Sequence, residues 1–332
     1  MDFGDFAFFS RHWLEGVTPQ DMVLIPAGDF DMGSFDEGET SERPVHAVRL
    51  DSFYMGKYEV TTGQYCDYLN SVYDANQIKL GGTVYGSPDE TNSYPYCYIS
   101  TAGSIDLRRI VYSAGVFSVR TKGGRSMVND PMVDVSWYGA AAYCNWRSEK
   151  EGLEECYNLS TWDCDFSKKG YRLPTEAEWE FAARGGLVGK RFIWGDTISH
   201  SRANYFSYWG MGEPPYYPYD LGPTSGHHPT WNDGLLPYTS PVGSFSANGY
   251  GLCDITGNAW EWCNDWYSRT YYSSSPTNNP VGPTGPLSHR VVRGGDWGAF
   301  VPRSHGWRVA FRSSFTPAEW HYCFGFRLVL DF

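Results

Sequence analysis

Glycine and proline set the terms for this chain, with 37 glycines and 20 prolines spread through 332 residues. Proline ends or kinks a helix, and glycine loses the most backbone freedom when held in one, so a chiefly helical protein is excluded. Such a chain can still build short elements joined by many loops. The groups available to pin those loops are aromatic: 14 tryptophans, 25 tyrosines and 19 phenylalanines. With 19% charged residues, this is the composition of an ordered protein.

Few elements are legible. Residues 22–26, 45–50 and 53–55 read as strands. Helices are predicted where a capping signature meets apolar spacing. Thr61 with Gln64 and Thr175 with Glu178 make capping boxes, and Ser136 precedes Trp137, Ala140, Ala141 and Cys144. Arg184-Gly185-Gly186 closes the last of these helices. Residues 71–128 read as a strand-and-loop insertion with strands near 83–85, 96–99, 110–112 and 116–119. Residues 187–250 are loop-rich, and strands return at 290–293, 307–311 and 326–330. The expectation is an α+β chain with a small mixed or antiparallel sheet and few helices. Residues 21–332 form one domain. Residues 1–20 form a short extension in which Phe3, Phe6, Phe9, Trp13 and Leu14 share a helical face.

The formal net charge of -12 argues against a general nucleic-acid binder. No apolar run approaches the length of a transmembrane helix, and the first residues lack the features of a signal peptide. Cellular location stays open. Among the eight cysteines, Cys156 and Cys164 are the pair best placed for a disulfide, and buried free thiols are the alternative. His227-His228 reads as exposed loop rather than metal site. Glu176, Glu178 and Glu180 are spread around a helix rather than paired for acid–base work. Arg290, Arg293, Arg308, Arg312 and Arg327 read as scaffold, pinned to carboxylates and loop carbonyls.

A series of motifs carries a resemblance. In order they are Ile25-Pro26-Ala27-Gly28, Met32-Gly33-Ser34, Glu59-Val60-Thr61, Arg172-Leu173-Pro174-Thr175-Glu176-Ala177-Glu178-Trp179-Glu180, Gly257-Asn258-Ala259-Trp260-Glu261-Trp262, Arg293-Gly294-Gly295 and Gly325-Phe326-Arg327. From about Met22 to Leu330 the chain resembles the formylglycine-generating (sulfatase-modifying factor) family. The resemblance implies a calcium-stabilised, elaborated C-type-lectin-like fold. The enzymes of that family oxidise a substrate cysteine with copper held by two cysteines between the Arg-Gly-Gly and Gly-Phe-Arg strands. Here no cysteine lies between Trp297 and Trp320, and Cys323 stands alone, so a two-thiolate copper site is not expected. The three-histidine iron branch is not matched either. The C-terminal block looks more like the variable proteins of diversity-generating retroelements, which display hypervariable residues on this scaffold.

That block follows neither strand nor helix period, as a recognition surface need not. The expected surface comprises Trp297, Ala299, Phe300, Val301, Ser304, His305, Trp307, Phe311, Ser313, Ser314, Phe315, Ala318, Glu319, Trp320, His321, Tyr322 and Phe324, within a variable region of about 296–325. An aromatic core segment is the competing reading of the same residues. The ligand would be a protein or other macromolecule. The resemblance also implies one or two structural calcium ions, one held by Asn258 and Glu261 with the Gly257 and Ala259 carbonyls. The other would use Asn204 and Asp233 with the Tyr205 and Leu235 carbonyls. Two further functions stay open: a metal-dependent oxidase of the same family, and an invariant interaction subunit.

Overall fold

Thr61 Oγ1 accepts from the Gln64 amide while Gln64 Oε1 accepts from the Thr61 amide, and helix α1 (Thr62–Asp74) starts there. Ser136 caps α2 (Trp137–Lys150) through the Gly139 amide. Thr175 and Glu178 repeat the capping box at α3 (Glu176–Arg184), and Gly185 ends that helix at φ 56°. The computed structural model describes residues 21–35, 40–81, 83–86, 94–101, 108–208, 218–222, 224–298 and 306–331. The expected N-terminal extension, residues 1–20, lies outside them.

Two four-stranded sheets organise the rest. In the first, Met22–Ile25, Phe53–Gly56, Val329–Leu330 and Tyr171–Arg172 lie in that order, all antiparallel. In the second the order is Ser313–Phe315, Arg290–Arg293, Trp260–Trp266 and Phe324–Gly325, with the last pairing parallel. The sequence reading placed no strand at Trp260–Trp266. Six of its seven residues are buried, so no inside–outside alternation was there to be read. Residues 307–311, expected as a strand, form turns instead, and of 326–330 only Val329–Leu330 pairs as strand.

Strands lie near the four expected between residues 71 and 128, and Ile78–Leu80, Ser100–Thr101, Thr121–Lys122 and Arg125–Ser126 are strands that were not expected. Ile78–Leu80, Thr83–Gly86 and Pro95–Tyr98 form one small sheet, and Ser100–Thr101, Ile110–Ser113 and Val116–Val119 another. Both Phe117 backbone groups bond the Asn70 amide, which fastens the second sheet to α1.

The core is aromatic and shared among loops. Tyr65 stacks on Tyr143 across α1 and α2 with centroids 5.7 Å apart, and Phe326 meets both rings edge-on. Around it runs the expected web of buried ion pairs. Arg293 spans Glu176 and Glu180, Arg312 takes both Glu176 oxygens, Arg308 both of Glu42, and Arg327 both of Glu261. Arg290 differs: it bonds the Asn264 carbonyl and lies between the Trp137 and Trp266 rings. The glutamates of α3 are therefore structural counter-charges. Cys156 and Cys164 are free thiols. Tyr157, not Cys156, is the residue that faces Cys164 across the local pairing, so these two cysteines sit diagonally.

Candidate recognition surface

The Arg293-Gly294-Gly295 turn delivers Asp296 and Trp297 from the second sheet toward the surface. Glycine is required there: a Cβ on Gly295 would meet Trp307 Cδ1 at 2.4 Å, at φ +76°. Trp307 Nε1 in turn donates to the Asp296 carbonyl at 2.7 Å. On the other side, His321, Tyr322 and Cys323 lead into Phe324–Gly325, and Asp134 ties them to the insertion. The Asp134 amide donates to the His321 carbonyl, and the Tyr98 amide donates to the Asp134 carbonyl, both at 2.9 Å.

The expected surface residues separate into layers. Trp297, Trp307, Phe311 and Phe324 are buried and belong to the core. Phe311 and Phe324 pack in the main aromatic core and Trp307 in a smaller one with Tyr205, so the expectation that these four form an open surface is corrected. Ser313, Ser314, Phe315, Ala318, Glu319, Trp320 and His321 are half-buried, and Tyr322 is 39% exposed. Ala299, Phe300, Val301, Ser304 and His305 lie outside the described residues.

Side chains from elsewhere complete the surface, and the sequence reading missed them. Tyr98 of the insertion stacks on Trp320 at 3.9 Å with the planes 8° apart, and the Arg108 guanidinium covers Tyr98 at 3.3 Å. The Trp297 ring gathers Tyr322 at 5.4 Å, Tyr238 at 5.1 Å and His227 at 5.3 Å. His227-His228 is thus not exposed loop. Both rings are half-buried, and burial holds both imidazoles below their usual pKa. The available signal was the local density of aromatic residues on either side of the insertion; no periodicity marks it.

Beneath this surface lies a polar layer. The Cys323 thiol hydrogen-bonds the Asp296 carboxylate and lies 2.9 Å from His321 Nδ1. Burial pushes the thiol up, so Cys323 is a neutral thiol rather than an activated nucleophile. Burial also pushes His321 down to about 4 and Asp296 up to about 6. Arg109 is fully buried, with Nη2 donating to Thr239 Oγ1 and Nη1 3.7 Å from Asp134.

At the expected cation positions the side chains bond one another. Asn258 Oδ1 accepts from Asn204 Nδ2 and from Ser240 twice, and its Nδ2 donates to Glu59 Oε1 and the Ser240 carbonyl. Glu261 is held by Arg327 and by Trp179 Nε1. Neither side chain has a free oxygen for a cation, and the Gly257 carbonyl accepts from the Ala259 amide. The Ala259 carbonyl carries no such bond among the described residues. For the second site, Asp233 and Leu235 lie in an exposed turn, where Asp233 pairs with Lys122. The carboxylate beside Tyr205 is Asp220, which accepts from the Tyr205 hydroxyl. Near these positions, the buried side-chain oxygens Asn204 Oδ1 and Glu59 Oε2 lack a partner. Glu59 is pushed well up by burial and then by Asp254, with Glu261 adding to it, and Arg327 is the opposing charge. Among the described residues, no three His, Cys, Asp or Glu side chains are gathered closely enough to hold a metal ion by themselves.

Comparison with known proteins adds the following. A family model described as a sulfatase-modifying factor enzyme 1-like domain matches residues 13–332. A formylglycine-generating enzyme of Streptomyces coelicolor is 36% identical over 325 residues, covering 93% of this chain and 88% of that protein. One from Bos taurus is 32% identical, covering 94% and 75%. Among solved structures, Treponema denticola variable protein 1 superposes with a TM-score of 0.59 at 26% identity, covering 93% of this chain and 94% of that one.

Proposed function

This chain belongs to the sulfatase-modifying factor family, and we propose that within it the chain is a non-catalytic binding protein whose C-terminal surface docks a macromolecular ligand. The observation that carries this reading is the surface itself. Trp320, His321 and Tyr322 stand partly exposed on a base of buried aromatic rings and are braced by Tyr98 and Arg108 of the insertion. Rigid aromatic side chains on a fixed scaffold give large contact area at low entropic cost. The likeness to variable protein 1 supports this reading. So does the sequence between Trp297 and Trp320, which contains none of the cysteines that the family's copper chemistry uses.

The identity to formylglycine-generating enzymes favours a second reading, an oxidase with altered metal ligation. One experiment separates the two. Oxygen uptake is measured with a cysteine-containing peptide in the presence of copper or iron, alongside selection of displayed protein ligands on the immobilised chain. Saturable binding without oxygen uptake supports the binding protein. Turnover above the free-metal background overturns it.

The family implies calcium, and beside the Asn258 and Glu261 positions a second place for it is the unpartnered oxygen of Glu59. Glu59, Asp254 and Glu261 lie in one buried neighbourhood against the Arg327 guanidinium, and Glu59 Oε2 is unpartnered. A hard divalent cation at the unpartnered Glu59 Oε2, beside Asp254 whose oxygens accept from the Gly243 and Phe245 amides, would neutralise that excess negative charge and hold the surrounding loops together.

A further inference from the structure

A groove of about 650 Å³ opens where the first strand begins. One wall is α1 and the other is the Val116–Val119 strand of the insertion, and Met22, Val60, Phe117, Val128 and Leu328 give it an apolar lining. A cavity of roughly 150 Å³ holds one benzene ring, so this groove has room for about three aromatic side chains. Val128 is fixed on its rim. The Val128 carbonyl accepts from the Gly63 amide at 2.9 Å, and a Cβ on Gly63 would meet Val128 Cγ1 at 2.7 Å. The Val128 side chain nevertheless stays 43% exposed.

The chain enters the fold at this groove, since Asp21 and Met22 themselves line it. Asp21 is held in the left-handed region at φ 64°, and its carbonyl accepts from the Lys57 amide at 2.8 Å. An L-residue at that φ breaks an extended run, so the line of the strand Met22–Ile25 ends on the groove's rim. In the sequence before it, Phe6, Phe9 and Trp13 recur at i, i+3 and i+7, the spacing by which an amphipathic helix fills an apolar groove. Trp13 is eight residues before Asp21, and such a stretch spans up to about 29 Å. An isolated helix of this length is marginal in water, so the apolar face needs a surface to pack on. Residues 1–12 precede the stretch that the family model matches, so Phe6 and Phe9 are additions particular to this chain.

We infer that the N-terminal segment of this chain docks in this groove, with Phe6, Phe9 and Trp13 inside it, as an intramolecular strap between the first strand, α1 and the insertion. The strap is independent of the ligand-binding reading above.

The test places a photoreactive benzoylphenylalanine at Phe9 in the full chain and irradiates it in dilute solution. Crosslinked peptides, identified by mass spectrometry, should map to residues 58–70 or 117–129 within a monomeric product. Crosslinks to other parts of the chain, or none, overturn the inference. A crosslinked dimer puts the segment of a second copy in the groove and overturns the intramolecular strap. Hydrogen exchange gives a second readout. The amides of residues 6–14 should exchange at least tenfold more slowly in the full chain than in the free peptide of residues 1–20, and Val128→Asp should remove that protection. Free-peptide rates in the wild type, or protection unchanged in a Val128→Asp chain that still melts cooperatively, overturn the inference. The crosslink decides the matter whether or not Val128→Asp folds.

Discussion

Trp307 and Trp320 stand in one aromatic segment and look alike in the sequence, yet they do different things. Trp307 is 4% exposed and packs on Tyr205 at 5.2 Å, whereas Trp320 lies half-open against Tyr98. Trp307→Ala should therefore cost about 3–5 kcal/mol in urea unfolding, as for a buried aromatic residue. Trp320→Ala and Tyr322→Ala should cost little stability, about 0.5–1.5 kcal/mol each for the lost Tyr98 stack and the lost Trp297 contact respectively. They should weaken a selected ligand at least tenfold, the behaviour of an interface anchor. Arg327 gives the complementary case. Its removal leaves Glu261 buried without its counter-charge, so Arg327→Ala should destabilise by about 3–5 kcal/mol, measured in the same assay. The roles of the arginines were legible, because a run of arginines among buried-looking aromatics has to find carboxylates. Which tryptophans face outward was not, because side-chain type does not record the direction of a loop.

At the scale of elements, the capping boxes located α1 and α3 because both partners of each box lie within four consecutive residues. Such local chemistry needs no tertiary partner. Thr175→Ala should remove one cap bond and cost about 1 kcal/mol. Because α3 also carries Glu176, Glu178 and Glu180 to Arg293, Arg312 and Arg172, the loss should appear as a cooperative fall in midpoint rather than fraying. The strand Trp260–Trp266 escaped notice for the opposite reason. Its ladder partners are Arg290–Arg293 and Phe324–Gly325, distant in sequence, and burial on both faces erased the alternation. Four of the insertion's strands were legible one by one, while short ones such as Ile78–Leu80 and Ser100–Thr101 were not. That Tyr98 ends up on Trp320 was not, since nothing local to either residue encodes the pairing.

Across the whole molecule, buried carboxyls tie stability to pH. Burial raises Asp254 to about 6, Asp296 to about 6 and Asp265 to about 8. Between the ordinary carboxyl range and these values the folded chain holds protons that the unfolded chain has released. Stability should therefore fall as pH rises through that window. Inside the window the buried imidazoles, His321 above all at about 4, oppose this slope because only the unfolded ring takes up a proton, and below it groups held low by cation partners, such as Glu180 between Arg184 and Arg293, reverse it. Without calcium, the melting temperature should thus be higher at pH 6 than at pH 8. Added calcium should raise it more at pH 8, where fewer protons compete with the ion for the Glu59 and Asp254 carboxyls, and Glu59→Gln should abolish that gain. An equal calcium response at both pH values, or one unchanged in Glu59→Gln, would remove the proposed site. Taken by itself, the sequence determined what short-range chemistry can specify: a loop-rich α+β chain, capped helices, guanidinium–carboxylate pairing, the family motifs and the missing cysteine pair. The tertiary structure alone decided which aromatics are core and which are surface, that the insertion braces Trp320, and that Asn258 is a hydrogen-bond hub while Glu59 keeps an unpartnered oxygen. Those outcomes depend on contacts between residues far apart in the chain, and a one-dimensional pattern carries no record of such distances.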